Sequence, residues 1–359
     1  MRRLALLALA ASLLTGAAAG AVGPGRVAPT RDMTAARACH SATLLQNGRV
    51  LIAAGFERED DYVLRAEVYD PRSGRFRSTG TMPEPRLCHT ATRLRDGRVL
   101  LAGGSTREWL ASAELYDPRT GRFAATASLS VRRGGATATL LADGRVLVAG
   151  GFDGKTHATA ELYDPATETS APTGTLATAR SNHTATLLRN GRVLVTGGRG
   201  ATGAILRSAE LYDPAAGTFS PAGRLTVPRH KHGATLLRGG KVLVIGGANA
   251  RDWRGRYRSA EVYDAGSGRF SPAGRMASAR FKLGDAVALL ASGRVLVAGG
   301  ATSVETFDAG SRSFRAVPGR LDADRFYTTA TALPDGSALI AGGYDSGIEA
   351  TARAWRYRP

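Results

Sequence analysis

Two kinds of residue in this chain of 359 could do chemistry. The first kind recurs. His follows Arg three residues on at Arg37–His40, Arg86–His89, Arg180–His183 and Arg229–His232. Arg133, Arg280 and Arg325 head three further copies, where Ala136, Asp285 and Thr328 replace the His. Arg280 reads as two residues out of step, which puts Lys282 in the aligned position. Guanidinium forks grip carboxylate, phosphate or sulfate through two contacts. Imidazoles hold a metal only when three or four converge on one point. Equivalent positions in a symmetric array stay apart, so no metal or other cofactor is expected. A Glu recurs as well, at Glu67, Glu114, Glu161, Glu210, Glu261 and Glu305. General acid catalysis needs such a group once or twice. Six copies at one offset read instead as structural acceptors for Arg or backbone groups.

The second kind of residue sits in segments of variable length. The longest, residues 248–260, holds Trp253, Arg254 and Tyr257. Trp109, Phe152 and Tyr344 occupy the corresponding segments elsewhere. Together with Arg37, Arg86, Arg180, Arg229 and Arg325 they form the candidate ligand-binding set. Lys231 and Lys282 stand among the neighbouring loop cations. Flat rings pack on sugar faces and cations pair with acids. The set therefore suits an acidic glycan, with a protein partner as the alternative. The formal charge of +18 points the same way, and no catalytic residue is singled out. No nucleic-acid-binding motif is recognisable, so nucleic acid is not expected as a partner.

Cys39 and Cys88 share one offset in successive copies. Equivalent points on adjacent units are expected to lie beyond the roughly 7 Å Cα limit for a disulfide. The two are therefore expected to be buried, unbonded thiols.

The elements that must position these residues repeat along the chain. In the copy from Arg180 to Phe219, Thr184 to Leu188 and Arg192 to Thr196 read as strands joined by a two-residue turn at Asn190-Gly191. Ala209 to Tyr212 is a third strand, Asp213-Pro214-x-x-Gly217 a second turn, and Phe219 opens a fourth strand. The first turn's glycine recurs at Gly48, Gly97, Gly144, Gly191, Gly240, Gly293 and Gly336, at spacings of 49, 47, 47, 49, 53 and 43 residues. A double glycine closes the second strand in six copies, and Ala54-Gly55 stands there in the first.

This frame of R-x-x-H, apolar strand, N/D-G, apolar strand, G-G and E-x-Y-D-P-x-x-G-x-F resembles the kelch repeat, over residues 26–359. The resemblance implies an all-β, seven-bladed β-propeller with four-stranded blades. The usual Trp of the fourth strand is Phe here, at Phe76, Phe123, Phe219, Phe270 and Phe314. The seventh copy stops after its third strand. Residues 27–37 parallel the fourth-strand text, so an N-terminal strand is expected to complete blade seven and close the ring.

Residues 1–19 read as a secretory leader, with Arg2 and Arg3, an apolar run from Leu4 to Leu14, and Ala17-Ala18-Ala19 as cleavage site. The chain is then expected to be secreted or periplasmic, monomeric, and not inserted in a membrane. A non-catalytic binding module using the variable-loop face is the leading expectation. The alternative is a sugar-active enzyme, because galactose oxidase is similar in having a seven-bladed kelch propeller. That family's copper site draws a ligand from a further domain, and its copper residues do not carry over to this sequence. A sialic-acid isomerase-like propeller is the other form of that alternative.

Overall fold

The computed structural model describes residues 25–58 and 60–359, so the leader and its cleavage site lie outside the described residues. Seven antiparallel four-stranded sheets make seven blades of a propeller. Blade four shows how the sequence dictates each. Thr184–Leu187, Val193–Thr196, Ser208–Asp213 and Thr218–Arg224 are its strands, innermost first. The first connection is not the two-residue turn expected. Leu188 accepts from Gly191 at 3.1 Å and donates to Arg192 at 2.8 Å, making a four-residue turn. Gly191 alone is left-handed, at φ 82°, and Asn190 instead takes a hydrogen bond from Arg192 through its side chain. Only one residue must then tolerate positive φ, which is why Asp, Asn, Ser or Gly can precede the turn glycine in other blades.

The second strand of each blade is apolar, Thr196 apart, because both its faces are buried. In blade one, Val50 and Ile52 pack toward blade seven, while Leu51 and Ala53 pack toward blade two. The period of two thus serves two cores at once. Seven such cores lie between adjacent blades. In blades one, two, four and five the Tyr of the third strand packs on the Phe of the fourth, with ring centroids 4.8 Å apart for Tyr69–Phe76 and 4.9 Å for Tyr263–Phe270. Two of those phenols also bond the neighbouring blade, as Tyr116 does with Thr79 at 2.9 Å.

The N-terminal strand closes the ring. Arg26–Pro29 pairs antiparallel with Ala354–Arg358, in the register Val27 with Tyr357 and Pro29 with Trp355. Val27 is 2% exposed in the core between blades six and seven. Without this strand, Ala354–Arg358 would be an open edge. Val27→Asp would set an unpaired carboxylate in that core. It is expected to cost on the order of 3 kcal/mol and to lower the melting temperature by several degrees. Calorimetric melting checks this, and an unchanged transition would mean the strand contributes nothing to closure.

Candidate functional site

The recurring arginines are not on the ligand face. Arg37, Arg86, Arg180, Arg229 and Arg280 are fully buried and Arg133 is 1% exposed. Each pairs with the recurring Glu of its own blade, at 2.7 Å for Arg37–Glu67 and 2.6 Å for Arg180–Glu210. Arg180 also donates to the carbonyls of Gly197 and Ser208, at 2.7 and 3.1 Å. The second oxygen of Glu210 accepts from the backbone of Ala177 at 2.7 Å. Arg and Glu together thus clamp the segment linking one blade to the next. The double glycine makes room for that segment: a Cβ on Gly197 would lie 2.4 Å from the Arg229 carbonyl oxygen. Blade seven departs from this pattern. Trp355 stands where the Glu would be, and Arg325, 7% exposed, pairs with Asp322 at 2.7 Å.

The histidines join blades. His183 reaches back to Thr137 at 3.0 Å, and His89 to Ser41 at 3.0 Å. Burial, aided by the adjacent arginines, pushes His40, His89 and His183 down to about 3, so they are neutral at physiological pH.

Two residues past each clamping Arg the backbone turns left-handed. Those positions are Cys39, Cys88, Gly135, Asn182, Lys231, Lys282 and Tyr327, with φ between 46° and 60°. All seven line a central channel of about 290 Å³. This corrects the register of blade six. Arg280 is in step, since it pairs with Glu305 at 2.9 Å, and Lys282 is the channel residue two places on. The irregularity falls later, at Gly284 and Asp285.

The same geometry overturns the expectation for the cysteines. Cys39 and Cys88 form a disulfide, with Cα atoms 4.7 Å apart. Their positions converge toward the axis, where neighbouring blades meet backbone to backbone. Cys88 N–H donates to the Cys39 carbonyl at 3.0 Å.

One sector of the channel mouth differs from the rest. The Lys282 Nζ lies 4.6 Å from the Trp253 ring, 4.9 Å from Tyr344, 5.0 Å from Phe281, 5.4 Å from Tyr327 and 5.8 Å from Phe326. It also donates a hydrogen bond to the Tyr344 hydroxyl. Trp253 packs edge-on against Phe281 and Phe326, at 4.9 and 4.5 Å, while remaining 43% exposed. It can lean across blade six because that blade has almost no loop between Gly300 and Ser303. Beside the rings, Lys231 Nζ pairs with Asp252 at 2.9 Å, and His230 Nε2 lies 2.8 Å from the other Asp252 oxygen. Burial first, and the charge of Lys231 second, bring Lys282 down to about 8, against the pull of Asp252. Burial raises Tyr344 to about 12, which keeps its phenol protonated.

Of the candidate set, the structure brings Trp253 and Tyr344 together. Arg254 is exposed next to Trp253. Tyr257 lies under the buried Arg229 guanidinium, 5.4 Å from ring centroid to carbon, and so supports the clamp. Trp109 and Phe152 form a separate edge-to-face pair at 5.2 Å, half-buried over blades two and three. Arg37, Arg86, Arg180, Arg229 and Arg325 are committed to internal carboxylates. The sequence reading left Lys231 and Lys282 outside the set. The position two after each Arg carries the signal for both, once Arg280 is kept in step.

No protein-family model and no curated protein matches the chain. Among solved structures it is similar to a novel fungal alcohol oxidase with catalytic diversity among the AA5 family, in complex with copper. The TM-score is 0.76 at 17% identity, over 94% of this chain and 77% of that one. The likeness is one of fold, and agrees at that level with a galactose-oxidase-like propeller. Among the described residues no group of three His, Cys, Asp or Glu is placed to hold a metal. The mouth offers two ammonium groups, phenols and the single His230 imidazole around one carboxylate, and one imidazole among ammonium groups is a poor donor set for copper.

Three measurements follow from this geometry. An unfolded His titrates near 6.5, whereas buried His183 titrates near 3. The unfolded chain therefore takes up protons that the folded one refuses, and stability falls as pH falls from about 6.5 towards 3. Melting temperature should drop between pH 7 and 4.5, with a shallower slope in His183→Gln. Equal slopes would place the cost elsewhere. For the disulfide, the denatured protein should resist alkylation until it is reduced. Cys88→Ser should cost about 4 kcal/mol, the chain-entropy value for a 49-residue separation.

Proposed function

We propose that the chain is an exported binding module whose site is the axial mouth around Lys282, Lys231, Asp252, Trp253, Tyr327 and Tyr344. Its ligand is a small anionic sugar or the acidic end of a glycan. One observation carries this reading: an exposed Trp253 stands over an ammonium group inside an aromatic cluster. The indole offers a flat face to a sugar ring. Lys282 and Lys231 offer positive charge, only part of which Asp252 answers. The arginine rim first considered for this role is buried, so the charge comes from lysine. The kelch resemblance accounts for the Arg, His and Glu frame and leaves the mouth free to vary. A sugar-active enzyme is the second reading, favoured by the likeness to the alcohol oxidase.

Titration calorimetry with uronate- or sulfate-bearing oligosaccharides tests the proposal. Binding should weaken roughly tenfold in Trp253→Ala, equivalent to about 1.4 kcal/mol. It should weaken again when salt is raised, because the cations are partly exposed. Binding unchanged in the variant and indifferent to salt would remove this site.

A further inference from the structure

The chain holds 44 arginines but only four lysines, Lys155, Lys231, Lys241 and Lys282 (48 − 4 = 44). Elsewhere it uses guanidinium for nearly every ion pair, Lys241 with Asp264 at 2.9 Å being an exception. Two of its four lysines meet at the axial mouth. Arg stays protonated in proteins, whereas Lys can give up its proton and act as a nucleophile. A cation needed for charge alone would suit either residue. Here the amine is set in the one sector walled by five rings, and its electrostatic neighbours are Lys231, Asp252 and, through Asp252, His230. The rings of Tyr327 and Tyr344 also face it, and Asp285 and His232 line the same channel.

We infer that Lys282 is a reactive amine that condenses with a small aldehyde, such as the open-chain form of a reducing sugar acid, at the axial mouth. The inference rests on the binding site proposed above and adds a covalent step to it. The unprotonated Nζ attacks the carbonyl carbon. A C–N bond forms as the C–O π bond breaks, and the oxygen takes up a proton. The carbinolamine then loses that oxygen with two hydrogens as water, leaving a C=N bond to Nζ. Atoms and electrons balance with no oxidant or reductant. Tyr344, whose hydroxyl already bonds Nζ, is placed to shuttle the protons. The rings cover the amine on one side, while its mouth side stays open to the entering aldehyde and the departing water. Burial next to Lys231 holds the unprotonated amine within reach near neutral pH, while the ring faces attract the ammonium form. The two forms are thereby kept close in energy, as a Schiff-base lysine requires.

The test uses the whole protein, incubated near pH 7.5 with pyridoxal 5′-phosphate or with galacturonic acid, then with cyanoborohydride. Peptide mapping locates the reduced adduct. Lys282 should carry it at least about tenfold in preference to Lys155, an exposed lysine outside the channel. Lys282→Arg should keep the positive charge and the melting temperature but lose the adduct. Label spread evenly over the four lysines, or faster at Lys155, would overturn the inference. Mapping the unmodified sequence decides the question even if the variant misfolds. A glycan with no free aldehyde separates this step from binding. Calorimetric binding of that glycan without any Lys282 adduct would remove the amine chemistry and keep the binding module. An adduct without such binding would do the reverse.

Discussion

Six arginines held out of water against six glutamates set the rest of this structure. A buried charge is costly alone, and removing one partner of such a pair typically costs about 3–5 kcal/mol. Here each guanidinium also donates to backbone carbonyls, and each Glu also receives a backbone N–H, although the Nε of Arg37, Arg86, Arg180, Arg229 and Arg280 has no partner among the described residues. The pairs fix where six of the seven links between blades cross, and at what depth, and Arg325 with Asp322 holds the seventh. The link then has one way forward: it turns left-handed two residues later and drops a side chain into the channel. Left-handed φ costs a residue other than Gly on the order of 1 kcal/mol. The clamp before it and the innermost strand after it leave the link no alternative.

The channel lining is therefore decoupled from the scaffold. The clamp and the double glycine each recur in six of the seven blades, and the buried second strand in all seven, because they hold blade to blade. The residue two past the Arg is not constrained in type, and it varies through Cys, Cys, Gly, Asn, Lys, Lys and Tyr. Adjacent cysteines became a covalent tie between blades one and two. Adjacent lysines became a cationic sector. Chemistry concentrates near blade six because its loop is nearly gone, which lets Trp253 of blade five cover the gap.

The architecture was legible in the sequence because it repeats. Turn glycines, the Glu offset and the spare segment before Arg37 gave the blade count and the closure, and Val27 pairs with Tyr357 as that closure requires. What a linear pattern lacks is distance from the axis. Equivalent points on adjacent blades exceed disulfide range over most of the fan, yet Cys39 and Cys88 lie where the fan narrows. Register in blade six was lost because the counted anchor was the His position, filled there by Asp285 after two extra residues. The Arg280–Glu305 pair is the reliable anchor. The cluster around Lys282 draws on residues 253, 281, 326, 327 and 344, which only ring closure brings together.

Closure also imposes an order in time. The strand Arg26–Pro29 leaves the ribosome early, but its partner Ala354–Arg358 is made some 330 residues later. At synthesis rates of 5–20 residues per second, that delay is about 15 to 70 s. Throughout it, the first strand has no sheet to join. The tie between Cys39 and Cys88, by contrast, needs only the first two blades. Maturation should thus begin with a locked pair of blades and finish with the docking of its oldest strand, the slow event expected of so non-local a contact.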